Sequence, residues 1–253
     1  MNYNPKNLIE NTGLKLDQKS IGFLQKEIQL LSCSDVHEIA HLFTNPESYF
    51  FRSFSHLELV KKMSTEKTSI WFAGCSTGQE VYSAALMLSS IRDKKLLGTD
   101  LGRKYIEKAK SGSFFVFKKS EIKALEKYKH VSQSYLHLNN NKKSLDVKFS
   151  SLKKEGISFD IHNLMDGPYG SGFDIVYCRN VLLHMTIKGK KKALNSLKDG
   201  VKVGGILILG DTDPHIFEDN WERNKYKNTI FWKKKSWIYL LFRFCIDVPL
   251  AIN

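Results

Sequence analysis

The 253-residue sequence predicts an α/β protein, built on a doubly wound, mostly parallel sheet with a small helical lobe at its N-terminus. Three observations predict it. Short apolar runs alternate with helical periodicity from Ser69 onward, the first of these runs enters a glycine-bounded turn that opens a helix, and the second run ends on an acid twenty-two residues beyond that turn.

The lobe comes first. From Gln18 to Ser32 the residues Ile21, Leu24, Ile28 and Leu31 recur at spacings of three and four, the stripe of an amphipathic helix. Ser34 or Asp35 offers a cap for a second helix reaching about Leu42, and Asn45-Pro46 closes the lobe because a proline disfavours helical backbone before it. The lobe is therefore assigned to residues 1–46. Strands follow at Ser69–Ala73, Lys95–Thr99, Phe173–Cys178 and Gly205–Leu209, with helices at Glu80–Ile91 and Lys188–Lys198, which places the sheet domain at residues 47–213. Between Ser113 and Phe159 the chain is rich in Lys and Asn and weakly periodic. It reads as a helix followed by a short insertion near 135–159, with strand alternation only around Ser144–Phe149. Residues 214–253 read as a C-terminal extension of unassigned role.

A chain of this length buries a core without covalent staples. Cys33, Cys75, Cys178 and Cys245 are far apart and show neither CxxC pairing nor a nearby His at ligand spacing, which argues against zinc and against a disulfide framework. No metal is expected, and a reducing cytoplasm suits the pattern. Met1–Glu10 lacks the basic-then-apolar run of a signal peptide. The most apolar stretch, Trp237–Ile252, is broken by Arg243, Asp247 and Pro249 and falls short of the roughly 20 apolar residues of a membrane span, so it is expected to pack rather than insert. The net charge of +13 is concentrated. Residues 1–68 carry eight basic and eight acidic side chains, whereas Lys104–Lys154 carries thirteen lysines against four acids. Such a face suits an acidic partner, which composition leaves open among nucleic acid, an anionic membrane and an acidic protein, and it reads equally as a solvated surface.

The chemistry is densest in Ser69-Ile-Trp-Phe-Ala-Gly-Cys-Ser-Thr-Gly-Gln-Glu80, a buried-type strand running through a turn into a helix. Ligands of doubly wound sheets bind outside the carboxyl ends of strands at such turns, and glycine at positions 74 and 78 lets the backbone approach a ligand closely. The third glycine of GxGxxG is missing, so a pyrophosphate dinucleotide is not the best fit. Asp100 in Gly98-Thr-Asp100 stands where an acid bonds a ribose diol. The same turn spells Gly74-x-Ser76-x-Gly78, the nucleophile elbow of α/β-hydrolases, with Asp174 and then His184 or His215 in the matching chain order. Against a hydrolase, the turn follows the first strand rather than a later one, no glycine-rich oxyanion loop precedes it, and Asp100 is left without a purpose.

Five segments then agree in order and approximate spacing with one family: Tyr49-Phe-Phe-Arg52, Ala73-Gly-Cys-Ser-Thr-Gly-Gln-Glu80, Thr99-Asp-Leu101, His162-Asn-Leu164 and Tyr177-Cys-Arg-Asn-Val-Leu182. Together they resemble the CheR-type methyltransferases, which methylate glutamate side chains of chemotaxis receptors, over most of residues 8–213. The resemblance implies a Rossmann-like, class I S-adenosylmethionine-dependent methyltransferase fold, S-adenosyl-L-methionine as cofactor with S-adenosyl-L-homocysteine as product, and an acidic protein substrate, namely the cytoplasmic domain of a chemoreceptor. It implies no nucleic acid, and membrane association only through that receptor. Carried over residue by residue, it places Ser48, Arg52, Gly74, Cys75, Ser76, Gly78, Glu80, Asp100, Asn163, Leu164, Arg179 and Asn180 around the cofactor, and Arg52 and His184 beside the acceptor. Each has a plainer reading: Asp100 as a helix cap, Asn163 as an Asx-turn, Arg52 in a surface ion pair, His184 as a packed histidine. The chain also departs from the family. Gln79 replaces the first acid of the Gly-Glu-Glu motif, His184 replaces a tyrosine, Gly210-Asp-Thr-Asp213 replaces a Gly-His-Ser-Glu-like segment, and the small β-subdomain between Tyr135 and Phe159 reads as shortened. Two alternatives share the scaffold: a methyltransferase for a small molecule or another protein, and a cofactor-binding sensor without turnover.

Overall fold

A computed structural model describes residues 5–31, 35–44, 47–128, 136–141, 144–150, 156–213 and 219–236. Helices α1 (Pro5–Thr12), α2 (Gln18–Leu31) and the short α3 (Val36–Ile39) come first, and the Asp35 side chain caps α3 by accepting from the His37 amide. Helix α4 (Phe54–Met63) leads into β1 (Lys67–Ala73), α5 (Gln79–Met87), β2 (Asp93–Asp100) and α6 (Arg103–Ser111). Next come β3 (Ser113–Val116), α7 (Lys119–Glu126), β4 (Leu136–Asn141), β5 (Ser144–Phe149), β6 (Ile157–Ile161) and β7 (Phe173–Cys178). Helix α8 (Ile187–Gly200), β8 (Val201–Leu209), β9 (Trp221–Tyr226) and β10 (Thr229–Lys234) complete the described chain.

Seven strands form one sheet in the order β6-β2-β1-β7-β8-β10-β9. The first five run parallel, and β10 and β9 pair antiparallel at one edge. The chain winds outward from β1 in both directions, so β1 and β7 flank the crevice where the winding reverses, the place where open α/β sheets hold ligands. Strand β1 is buried on both faces: Ile70, Phe72 and Tyr82 belong to the larger core under α4 and α5, while Trp71 and Ala73 pack with Val176, Leu197 and Leu207 under α8. This two-sided burial explains why the strand reads as a continuous apolar run.

Two boundaries differ from the sequence reading. Residues 221–234, read as part of an extension after Asp213, belong to the sheet, with Trp221, Phe231 and Trp232 buried. In the weakly periodic stretch from Ser113 the structure has the expected helix, α7, and strand, β5, but β5 joins β3 and β4 in a separate three-stranded antiparallel sheet, and β6, within the stretch read as insertion, is an edge strand of the main sheet paired with β2. Asn45-Pro46, His215, Cys33, Cys245 and the apolar stretch Trp237–Ile252 lie outside the described residues. Cys75 and Cys178 are free and buried. Among the described residues, no helix is long and apolar enough to cross a membrane and no His/Cys/Asp/Glu cluster could hold a metal ion.

Candidate functional site

A cavity of about 470 Å³ opens at the carboxyl ends of β1, β2, β6 and β7. Ser48, Arg52, Gly74, Cys75, Ser76, Glu80, Asp100, Asn163, Leu164, Arg179, Asn180 and His184 all line it. Gly78 does not. It caps α5 at φ 91°, and a side chain there would meet Ala109 at 2.9 Å and Phe159 at 3.1 Å, so its small size admits helix packing rather than a ligand.

The turn after β1 is shaped by backbone geometry. Gly74 sits at φ 70°, and a Cβ there would lie 2.2 Å from Val181 Cγ2, which fixes how closely the turn approaches the loop after β7. Ser76 holds the left-handed region without being glycine, at φ 51°. Its amide donates to Asp100 Oδ2 at 2.8 Å, and the Gly102 amide donates to Asp100 Oδ1 at 3.1 Å. Asp100 is thereby locked between the turn and the start of α6. Burial pushes its pKa above the usual carboxylate range, and the two amides oppose that shift. The Ser76 hydroxyl is buried with no hydrogen-bond partner.

A second polar group closes the opposite wall. Arg179 Nη1 bonds Glu80 Oε1 at 2.8 Å, and the Tyr177 hydroxyl donates to the same oxygen at 2.9 Å. The pair is largely buried, with side chains 7% and 17% exposed, and the Arg179 Nε has no partner. Behind it His56 is held neutral: burial, and then the Arg179 charge, lower its pKa to about 4. Tyr177 belongs to the same motif as Arg179, two residues before it, whereas His56 did not stand out in the sequence because it approaches Arg179 only through the packing of α4. Asp213, in the segment that departs from the family, is buried and accepts the Gly210 amide at 2.8 Å. The amides of Asn180 and Leu183 also act on its carboxyl, tying β8 to the cavity loop.

The remaining residues divide sharply. The Asn163 side chain accepts from the Met165 amide at 3.0 Å, the Asx-turn arrangement, and donates to the Asn11 carbonyl at 2.7 Å, so its side-chain amide serves the fold. That bond draws in α1, and Thr12, Leu14 and Lys15 at and after its end form a further wall of the cavity. Leu14 bridges Met185, the Lys15 amide donates to the His184 carbonyl at 2.7 Å, and the Thr186 amide donates to the Gly13 carbonyl at 2.7 Å. His184 is exposed at the rim rather than packed. Arg52 stands over Tyr49, 5.3 Å from the ring centre, with its guanidinium bonded to the Glu47 carbonyl and carboxylate.

Residues 46–231 match the family model described as CheR methyltransferase, SAM binding domain, which covers most of the chain. The chain belongs to the CheR methyltransferase family. It is 28% identical over 201 residues to a chemotaxis protein methyltransferase of Listeria innocua, covering 75% of this chain and 71% of that protein. It is 27% identical over 230 residues to the protein of the same name from Borreliella burgdorferi, covering 81% and 76%. Among solved structures, PKMT2 from Rickettsia typhi in complex with AdoHcy aligns at 17% identity and a TM-score of 0.40, over 64% of this chain and 26% of that one, too distant to inform the chemistry.

As a CheR-family methyltransferase the protein uses S-adenosylmethionine, and the cavity fits that group. Asp100 presents a carboxylate at the end of β2, and the Ser76 hydroxyl and Arg179 Nε are buried donors without partners. Gly74, Ser76, Glu80, Asp100 and Arg179 line the cavity and would hold that group. Replacing Asp100 by Ala is expected to weaken S-adenosylhomocysteine binding by about 1–3 kcal/mol, the usual cost of leaving buried polar groups unsatisfied. Calorimetry checks this, and an unchanged affinity removes Asp100 from the site.

Proposed function

We propose that this CheR-family enzyme forms methyl esters on glutamate side chains of a chemoreceptor-like protein. Its partner is the acidic cytoplasmic domain of that receptor, it works in the cytoplasm, it meets the membrane only through the receptor, and nucleic acid has no part in it. One observation carries the reading: each carboxylate lining the cavity is already engaged, Glu47 with Arg52, Glu80 with Arg179 and Asp100 with two amides. Among the described residues, no lining acid is left free to act as a general base.

A glutamate acceptor needs none, since a carboxylate with a reference pKa near 4.3 is ionised at neutral pH. Bound S-adenosylmethionine supplies an electrophilic methyl group and leaves as S-adenosylhomocysteine. The chain's own residues have to align the acceptor oxygen for in-line displacement and keep water away. A carboxylate oxygen gains the methyl carbon as the sulfur–carbon bond breaks, and no proton moves. The Arg52 fork, prepositioned by Glu47, offers paired donors to orient the carboxylate. Sharing that guanidinium with Glu47 keeps its grip on the acceptor weak, which matters because strong ground-state binding would oppose reaction.

His184 at the rim provides the test, because it stands where the family carries tyrosine. With a carboxylate acceptor, His184→Tyr restores the family's residue and is expected to retain turnover at saturating cofactor. Loss of turnover at every pH would instead make His184 a general base for a hydroxyl or amine acceptor.

A further inference from the structure

The exposed start of α8 adjoins the cavity mouth and carries chemistry that neither the fold nor methyl transfer uses. The Leu14–Met185 bridge and the Lys15–His184 hydrogen bond form one rim of the cavity, and Ile187 follows two residues after Met185. Ile187 is 90% exposed, the most exposed large apolar side chain among the described residues. Lys188, Lys191 and Lys192 are exposed beside it: Lys191 lies four residues on, over Ile187, and Lys188 stands three and four residues before Lys191 and Lys192, so the lysines border Ile187 on the side away from the core. The opposite face is fixed by the buried Gly189, Ala193 and Leu197, so the helix has no freedom to turn the lysines elsewhere.

This arrangement is unfavourable for the helix itself. The positive end of a helix dipole disfavours cations, yet α8 begins Ile-Lys-Gly-Lys-Lys-Lys and has no acid in its first turn. The ion pairs among the described residues include none of these lysines. An exposed apolar side chain beside unpaired cations offers an acidic protein both an apolar and an electrostatic contact. It follows directly on His184 and Met185, which line the cavity, so a protein delivering a side chain there comes within reach of it.

We infer that Ile187, Lys188, Lys191 and Lys192, continuous with Lys15 and His184 at the rim, form the docking face for an acidic segment of the methyl-accepting protein. The inference rests on the receptor-glutamate reading above and names the surface that recognises that substrate. The occupant is an acidic helix of the acceptor. Its carboxylates meet the lysines, an apolar position covers Ile187, and the glutamate to be methylated turns into the cavity. An anionic lipid surface offers similar charge but delivers no carboxylate side chain into the cavity.

The test uses the full chain, a purified lipid-free cytoplasmic fragment of a chemoreceptor from the same genome, and vesicles of phosphatidylglycerol and phosphatidylcholine. Lys188→Glu/Lys191→Glu is expected to raise KM for the fragment tenfold or more, with kcat and S-adenosylhomocysteine affinity within twofold of wild type. The wild-type KM should rise with salt more steeply than that of the variant. Ile187→Ser should raise KM without altering the salt dependence. Unchanged KM in the double variant overturns the inference, and so does a loss confined to vesicle binding, which would assign the face to lipid. A wild-type protein that binds S-adenosylhomocysteine but leaves the fragment unmethylated overturns the substrate reading and this inference with it, an outcome distinct from methylation at unchanged KM.

Discussion

Arg179→Ala is expected to destabilise the protein by about 3–5 kcal/mol, because it leaves the buried Glu80 carboxylate without its cation. It should also abolish measurable S-adenosylhomocysteine binding, since Arg179 and Glu80 both line the cavity. These two losses separate in a compensated variant. Arg179→Met combined with Glu80→Gln removes both charges together, so denaturant unfolding should recover most of the lost stability while calorimetry still detects no ligand. Recovery of binding along with stability would mean that the pair serves the fold alone.

The second large effect is steric. Gly74→Ala forces a side chain into left-handed backbone and into the space of Val181, and the dihedral and packing costs together should reach about 2–5 kcal/mol. Because Val181 also lines the cavity, its displacement should weaken cofactor binding as well. Val181→Ala added to Gly74→Ala should relieve the overlap but not the dihedral strain, leaving a residual of about 1–2 kcal/mol. Unfolding measurements on the two single variants and the pair decide this. Strict additivity would show that the 2.2 Å approach is not what constrains position 74.

What the sequence made legible follows physical lines. Strands β1, β7 and the latter half of β8 are buried from both sides, so their apolar runs are uninterrupted and visible. Strand β9 is the edge strand, with only Trp221 of Trp-Glu-Arg-Asn-Lys-Tyr buried, and the charged residues that keep such an edge from pairing further also hide it, and its partner β10, from a hydropathy reading. Strand β3 is only four residues long and gains its partner from β5, more than thirty residues later, so local pattern could not reveal it. Helix α4 was missed although His56, Leu57, Leu59 and Val60 are buried, because Lys61, Lys62 and the preceding Phe-Phe-Arg obscure its stripe.

The site divides in the same way. The glycine turn and Asp100 were readable because they answer a local backbone demand, a tight approach after one strand and an acid at the end of the next. The wall made by Thr12, Leu14 and Lys15 was not, since it forms only when residues 173 positions apart meet, as Gly13 and Thr186 do. Asn163 shows the converse. The resemblance places it around the cofactor, and the structure adds that its side-chain amide also serves the fold, bonded to Asn11 and Met165.

The central claim is that this CheR-family enzyme esterifies glutamate, and the most direct measurement follows the transferred methyl group. The purified protein is incubated with radiolabelled S-adenosylmethionine and membranes carrying chemoreceptors, and the labelled protein is then treated with base. The account predicts label on the receptor that is released as methanol by base and that maps to glutamate residues. Base-stable label, label on a small molecule, or no label from a protein that binds S-adenosylhomocysteine would contradict it.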